Sequence, residues 1–249
     1  MIFNNLIIKT AFHGVKLTLC ILCINLLNVN RCKSQTLNGP TLTSSTLQEL
    51  SIYSGGIIWY GGNYLLEKKI NHSPTYWRVP GLDFQKPIPY NGKIAGHSDW
   101  ILMSTAFLAA LPALNPQKQK IEWNYANLLA QNILITTNLT QTVKVLVQRQ
   151  RPLTQHPNYI ASGNNDDHFS FFSGHSSFTA AAATTAMLYA YRYDGGKWTK
   201  PVAWASVGLA LTTGGMRIAA GKHYTSDVLT GFIIGTGISL LNARLHEKS

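Results

Sequence analysis

Three stretches of 16 residues towards the C-terminal end, 176–191, 201–216 and 228–243, contain no charged side chain. The whole chain of 249 residues is 12% charged and 45% hydrophobic, where a soluble domain usually carries about 25% charged residues. Apolar side chains in that supply can form a core, which excludes a disordered chain. Two classes remain: a tightly packed helical globule, or a protein partly embedded in lipid. Crossing a bilayer takes about 20 apolar residues, and each charge-free run stops short of that. Residues 124–143 are also uncharged, but Asn124, Asn127, Gln131, Asn132, Asn138 and Gln141 suit water or a protein interior better than lipid. The balance leans towards a soluble or peripherally bound bundle. The last helix, with Phe232-Ile233-Ile234 and Leu240-Leu241, is the best candidate for lipid contact.

The pattern elsewhere is helical too. Ser98 or Asp99 caps a helix to about Ala113, before Asn115-Pro116. A second runs from near Ile121 to about Arg149, stopped by Pro152. A third follows Ser173 and ends at the Asp194-Gly195-Gly196 turn; a fourth opens with Pro201 in its first turn. A fifth runs from near His223 to near His246. Residues 35–48 read as a flexible entry, and 49–69 as a helix weakened by Gly55-Gly56 and Gly61-Gly62. Residues 71–98 read as mostly loop, because of Pro74, Pro80, Pro87 and Pro89. Almost nothing alternates with period two over a strand length, so the fold class is all-α.

The net charge is +11. Residues 1–34 carry Lys9, Lys16, Arg31 and Lys33 and no acid; without them 17 bases face 10 acids, a net of +7. The apolar run Leu17–Val29 behind two lysines reads as an export signal, with Ser34-Gln35 as the cleavage point and an uncleaved anchor as the alternative. Cys20, Cys23 and Cys32 all fall in this leader, which leaves the exported chain without a disulfide or a thiolate metal site. Leu19 and Leu22 precede the first two cysteines, where lipidation would want a small residue. The remaining positive charge calls for an anionic partner. Export argues against nucleic acid and for an acidic membrane surface or a phosphorylated substrate.

Three constellations carry chemistry. In Lys144-x6-Arg151-Pro152, a spacing of seven is about two helical turns, which puts both cations on one face. In Phe172-Ser173-Gly174-His175, small residues open a helix whose free N–H groups attract an anion, with His175 in the first turn. In Arg217-x5-His223-x3-Asp227, the last two stack on one helix face. The carboxylate can then take a hydrogen bond from one ring nitrogen and leave the other with its lone pair. Taken alone, each also reads as an ordinary basic helix end, capped helix or surface pair. Together they supply three cations, neutral donors and two histidines, a set suited to a tetrahedral oxyanion.

In order and spacing these motifs resemble the superfamily of type 2 phosphatidic acid phosphatases (PAP2) and vanadium haloperoxidases. Its signature is Lys-x6-Arg-Pro, Pro-Ser-Gly-His and Ser-Arg-x5-His-x3-Asp. The match spans residues 144–227, with Phe172 in place of Pro and Met216 in place of Ser. The resemblance implies a helical bundle of that type over 99–247; it does not cover the signal peptide read at 1–34 or the N-terminal extension at 35–98. It implies that His223 attacks phosphorus, that Asp227 orients His223, and that His175 protonates the leaving oxygen. Lys144, Arg151, Ser173, Gly174 and Arg217 would hold the phosphate, with no metal or other cofactor required. One histidine must then be neutral while the other is protonated, which implies a bell-shaped pH profile peaking at or below neutrality.

The function expected is a metal-independent phosphatase of the periplasm or cell envelope, acting on phosphomonoesters or on lipid phosphates or diphosphates. Two alternatives stand beside it: a haloperoxidase with vanadate in the phosphate site, and a non-catalytic envelope protein that binds phosphate or lipid. The other polar groups read as structural: His97 as part of a helix cap, Asp166-Asp167-His168 as a solvated loop bordering the substrate entrance. His72, His156 and His246 have no partner legible in the sequence. Trp59, Trp77, Trp100 and Trp123 read as packing or interfacial residues.

Overall fold

The computed structural model describes residues 41–42, 45–70, 73–84, 86–114, 119–161, 165–193 and 197–248. Residues 1–34 (read as a leader with three cysteines), His72, Asn115-Pro116 and Asp194-Gly195-Gly196 (read as a turn) lie outside the described residues. The described chain is all-helical, as its pattern implies. Its helices are α1 (Thr46–Lys69), α2 (Gly92–Ala110), α3 (Gln119–Val147), α4 (Gly174–Arg192), α5 (Thr199–Ala219) and α6 (Thr225–His246). A two-residue antiparallel pair, β1 (Thr41–Leu42) with β2 (Glu247–Lys248), joins the two ends.

α4 is the axis of the bundle: α2, α3, α5 and α6 all pack on it, and α1 docks on α3. Its alanines make this possible. Ala182, Ala186 and Ala190 meet Ala109 of α2, Leu129 of α3 and Ala203 of α5. Towards its C-terminal end Tyr189 and Tyr193 close on Tyr125, Leu128 and Ala243. The contact with α6 is closer still, because α6 presents Gly231 and Gly235 there. A Cβ on Gly231 would lie 2.7 Å from the Ser173 carbonyl oxygen, and one on Gly235 would overlap the Ser177 carbonyl. One turn on, Ser239 donates to the Ala181 carbonyl at 3.1 Å. This seam brings the start of α6 against the start of α4.

The polar residues of α3 face inward. Asn132 donates to Thr185 (2.8 Å) and accepts from Asn242 (2.9 Å). On the α1 side, Asn63 donates to the Asn138 carbonyl at 3.0 Å, Thr142 donates to Asn63 at 2.8 Å, and Trp59 donates to Thr142 at 2.8 Å. Satisfied in this way, the amides cost little on burial. They also explain why α1 is a continuous helix of 24 residues despite its glycines. Its polar seam is held by α3, and at Gly56 the missing Cβ makes room for Leu134.

Apolar side chains point outward instead. Ile57 and Ile58 on α1, Trp100, Met103 and Phe107 on α2, Trp204 and Leu211 on α5 and Ile233 on α6 are all exposed. Two helical segments among the described residues are long and apolar enough to cross a membrane: Gly92–Leu114, including a short 3₁₀ turn, and Thr225–His246. Only 22% and 33% of their apolar windows is buried within the fold. The charge-free run 176–191 belongs instead to the central, largely buried α4. The 228–243 run lies in α6, the helix already singled out for lipid contact.

Several boundaries differ from the sequence reading. α2 begins at Gly92 with Asn91 as its cap, accepting from the Ile94 N–H at 3.1 Å, so His97, Ser98 and Asp99 lie inside the helix. α3 ends at Val147, where Gln148 takes a positive φ of 49°. α6 begins at Thr225, two residues after His223.

Replacing Gly235 with Val should push α6 off α4 and lower stability by about 1–3 kcal/mol, the usual cost of overpacking. Gly61→Ala, at an exposed α1 position with open space around it, should be neutral or stabilising by about 0.5–1 kcal/mol. Thermal unfolding of the two variants beside the wild type checks both.

Candidate active site

The turn leading into α4 sets out the floor of the site. Ser173 caps the helix, its hydroxyl accepting from the Ser176 N–H at 3.3 Å. Gly174 opens the first turn, and a Cβ there would lie 3.6 Å from Lys144 Nζ. The last turn of α3 thus puts the Lys144 ammonium beside the positive end of α4. Burial, reinforced by Arg151 and Arg217, pushes Lys144 down to about 7.

Arg151 comes from the extended segment after α3, not from its face. Leaving the helix at Gln148 turns the chain, and the Arg151 N–H then donates to the Asp167 carbonyl at 2.9 Å. Its guanidinium is buried and held at all three nitrogens: Nε donates to the Asp166 carbonyl at 2.7 Å, Nη2 to the Asp166 carboxylate at 2.6 Å, and Nη1 to the Lys222 carbonyl at 2.9 Å. Nη1 also lies 3.3 Å from His223 Nε2. Lys222 Nζ reaches the same Asp166 carboxylate at 3.4 Å. Burial works against that carboxylate's charge, but Arg151, Lys144 and Lys222 outweigh it and hold Asp166 down to about 2. The loop containing Asp166-Asp167-His168 is therefore part of the cation cluster. Asp167 in turn accepts from Tyr159 at 2.6 Å.

His223 is buried in the loop between α5 and α6. Its Nδ1 lies 2.8 Å from the Ser170 carbonyl oxygen. A carbonyl can only accept, so Nδ1 carries the proton and Nε2 keeps its lone pair. The Asp227 carboxylate is 3.6 Å from Nδ1, a neighbouring charge and not the nearest acceptor. The pair does not stack on one helical face, because α6 starts after His223. Asp227 sits in the first turn of α6 and folds back to accept from the Tyr224 N–H at 2.9 Å and from the Ser170 hydroxyl at 2.5 Å. Burial, then Arg151, Arg217 and Lys144, hold His223 well below the usual histidine range.

Arg217, near the end of α5, is buried. Its Nη1 donates to Ser98 at 3.2 Å and lies 3.5 Å from Asp99 Oδ1. Its Nε, also buried, finds no hydrogen-bond partner among the described residues. His175 stands across from it, with Nε2 2.6 Å from Asp99 Oδ1. Lys144, Arg151, Arg217, His175 and His223 therefore share one neighbourhood at the N-terminus of α4, alongside Ser173, Gly174 and Asp227.

Four further residues complete this neighbourhood without any motif to mark them. Arg149 is fully buried between the rings of Trp77, 3.7 Å from its centroid, and Tyr224, at 4.0 Å. It donates to Asp227 and, at 2.8 Å each, to Asp83 and Ser226. Asp83 also accepts from the Ser226 N–H at 2.9 Å and the Val79 N–H at 2.8 Å. The proline-rich segment before α2, the exit of α3 and the start of α6 are thereby pinned to one guanidinium. Ser170 and Asp99 complete the set. Arg149 has a faint signal in the sequence, a second arginine two residues before Arg151 in an extended segment. Asp83 and Asp99 have none, since their partners are 66 and 76 residues away. His246 is buried, with Nδ1 2.9 Å from the Asn242 carbonyl.

The PAP2 superfamily model matches residues 121–249. The chain belongs to the PAP2 superfamily. Among curated proteins, Phospholipid phosphatase 1 of Rattus norvegicus is 32% identical over 92 residues. That alignment covers 34% of this chain and 33% of the rat protein, so the chain matches about a third of that relative's length. Among solved structures, a transmembrane PAP2-type phosphatidylglycerolphosphate phosphatase from Bacillus subtilis aligns over 78% of this chain and 93% of its own, at 20% identity and a TM-score of 0.44. The chain is thus a PAP2 protein with homology to phospholipid phosphatases. Asp83 and Asp99 lie before the matched segment.

Removing Arg149 would leave Asp83 and Asp227 buried without their counter-charge. Arg149→Met should lower stability by about 3–5 kcal/mol. Arg149→Lys should not restore it, because a single ammonium cannot bridge two carboxylates and stack between two rings. Denaturant unfolding of both variants checks this.

Proposed function

We propose that this PAP2 protein is a metal-independent phosphatase that hydrolyses phosphomonoesters, with lipid phosphates as its main substrates, through a phosphohistidine on His223. The observation that carries the reading is the buried Arg217 Nε, without a partner among the described residues, in a cluster that also holds Lys144, Arg151 and an imidazole lone pair. Buried cations of this density call for a multiply charged anion.

The roles follow from the donors. Lys144, Arg151 and Arg217, with Ser173 and the Gly174 N–H, hold the non-bridging oxygens and neutralise the charge that builds on them. Nε2 of His223 attacks phosphorus while Nδ1–H stays on the Ser170 carbonyl. Asp227, 3.6 Å away, stabilises the positive charge that grows on the ring. His175 gives a proton to the leaving oxygen, which departs as the alcohol. It then takes a proton from the water that attacks the phosphohistidine, releasing inorganic phosphate and returning His223 to its neutral form.

A lipid substrate is supported by the exposed apolar faces of α1, α2, α5 and α6 and by the two helices long enough to span a membrane. We place the protein in the cell envelope, associated with the membrane, with the leader at 1–34 as its export signal. On this reading most of the expressed protein should stay with the membrane pool after a high-salt wash. Recovery in the soluble pool would contradict it.

The decisive experiment is His223→Ala in purified protein with an aryl phosphate. Activity should fall by about 10³-fold or more; wild-type turnover in that variant would remove the assigned nucleophile. The pH dependence has a defined sign. His223 must be neutral, and its protonation is already suppressed, so the acid limb lies below the usual histidine range. His175 must be protonated. Burial, then Arg217, push it down to about 4 against the pull of Asp99, so activity falls as pH rises. A bound phosphate dianion raises His175 again. The alkaline limb of kcat should therefore lie at higher pH than that of kcat/KM.

A further inference from the structure

α2 is not part of the three motifs, yet two successive residues of it enter the site. Ser98 donates to the Ala95 carbonyl at 2.6 Å and turns a lone pair to Arg217 Nη1 at 3.2 Å. Asp99 puts Oδ1 2.6 Å from His175 Nε2 and 3.5 Å from Arg217 Nη1. The Asp99 side chain is 62% exposed and that of His175 is 27% exposed. The carboxylate therefore reaches in from the rim of the site while the imidazole stands at its edge.

Resting on the phosphatase reading above, we infer that Asp99 is the positioning residue of the general acid: its carboxylate holds the His175 ring and keeps it protonated for transfer to the leaving oxygen. The charged groups facing His175 make such a partner necessary. Arg217 from α5, Lys144 from α3 and, when charged, His223 from the loop before α6 all oppose a proton on His175, as does burial. Asp99 is the acceptor within hydrogen-bond distance that favours it. An exposed histidine–aspartate pair is ordinarily weak. Here the carboxylate meets two groups that are cationic in the reacting enzyme, and its effect on protonation is correspondingly larger. Asp99 also restrains Arg217 at Nη1, which leaves the Nε face of that guanidinium for the phosphate.

The proton balance is unchanged by this addition. The proton given to the leaving oxygen comes from His175. The imidazole then recovers a proton from the hydrolytic water, whose hydroxide completes inorganic phosphate. Asp99 neither gives nor takes a proton in this sequence of steps, and its contact with the ring steadies the imidazolium before the first step and after the second.

The test compares wild type, Asp99→Asn and Asp99→Glu as purified full chains with an aryl phosphate across pH. In Asp99→Asn the alkaline limb of kcat should move down by about one pH unit. kcat at pH 7 should fall by about tenfold, with KM changed by less than about threefold. Asp99→Glu should keep the limb within about 0.3 units of the wild type, since it restores the charge. A limb in the Asn variant that coincides with the wild type would overturn the inference. A second measurement does not need turnover: NMR titration of isotope-labelled histidine in wild type and Asp99→Asn. The His175 midpoint should fall in the variant; an unmoved midpoint also overturns the inference. If wild type proves inactive while the midpoint falls, the phosphatase reading fails and the Asp99 contact stands.

Discussion

Arg149 holds the site together. A guanidinium fully removed from water needs every donor satisfied, and here two separated pieces of chain provide the acceptors: Asp83 and the Trp77 carbonyl before α2, and Ser226 and Asp227 at the start of α6. With Asp227 held, its carboxylate takes the Ser170 hydroxyl and the Tyr224 N–H. With Ser170 held, its carbonyl takes the His223 proton. The orientation of the His223 imidazole is thus set through two intervening residues, Asp227 and Ser170, from the Arg149 charge that anchors it. A buried ion network of this kind adds little net stability over an apolar core, but breaking one member leaves the others uncompensated.

Around that anchor the structure solves a problem of like charges. Lys144, Arg151, Arg217 and Lys222 crowd one neighbourhood in a chain with few charges overall. Asp166 bridges Arg151 and Lys222, Asp99 reaches Arg217 and His175, and the Lys144 ammonium lies at the α4 N-terminus. Both bridging carboxylates are solvent-exposed, while the guanidinium groups of Arg151 and Arg217 that they meet are buried.

The same economy of charge shapes the bundle. Amides and hydroxyls of α3 face its neighbours, and isoleucines, leucines and tryptophans of α1, α2, α5 and α6 face outward. This reversal of the usual soluble pattern is what makes mean hydropathy a poor guide here. Residues 124–143 read as too polar for lipid, and Asn132, Asn138 and Thr142 are indeed buried in the protein interior and paired. The runs at 176–191 and 228–243 look alike, yet the first lines the centre of the bundle and the second lies in a helix with an exposed apolar face.

From the sequence alone came the helical class, the three motifs and the residues to which the proposed chemistry is assigned. Each of those rests on local spacing: a capped helix start, a cation near a helix end, a histidine four residues before an aspartate. What only the tertiary structure decided is how those pieces are aimed. The helix ends at Val147 and starts at Thr225, so Arg151 and His223 reach the site from loops and not from helical faces. The partner of the His223 proton is a backbone carbonyl 53 residues away, and that of His175 is a carboxylate 76 residues away. Such contacts leave no period or spacing in the chain. They exist because Gly231 and Gly235 let α6 close on α4, and because Arg149 fixes the loops that meet there.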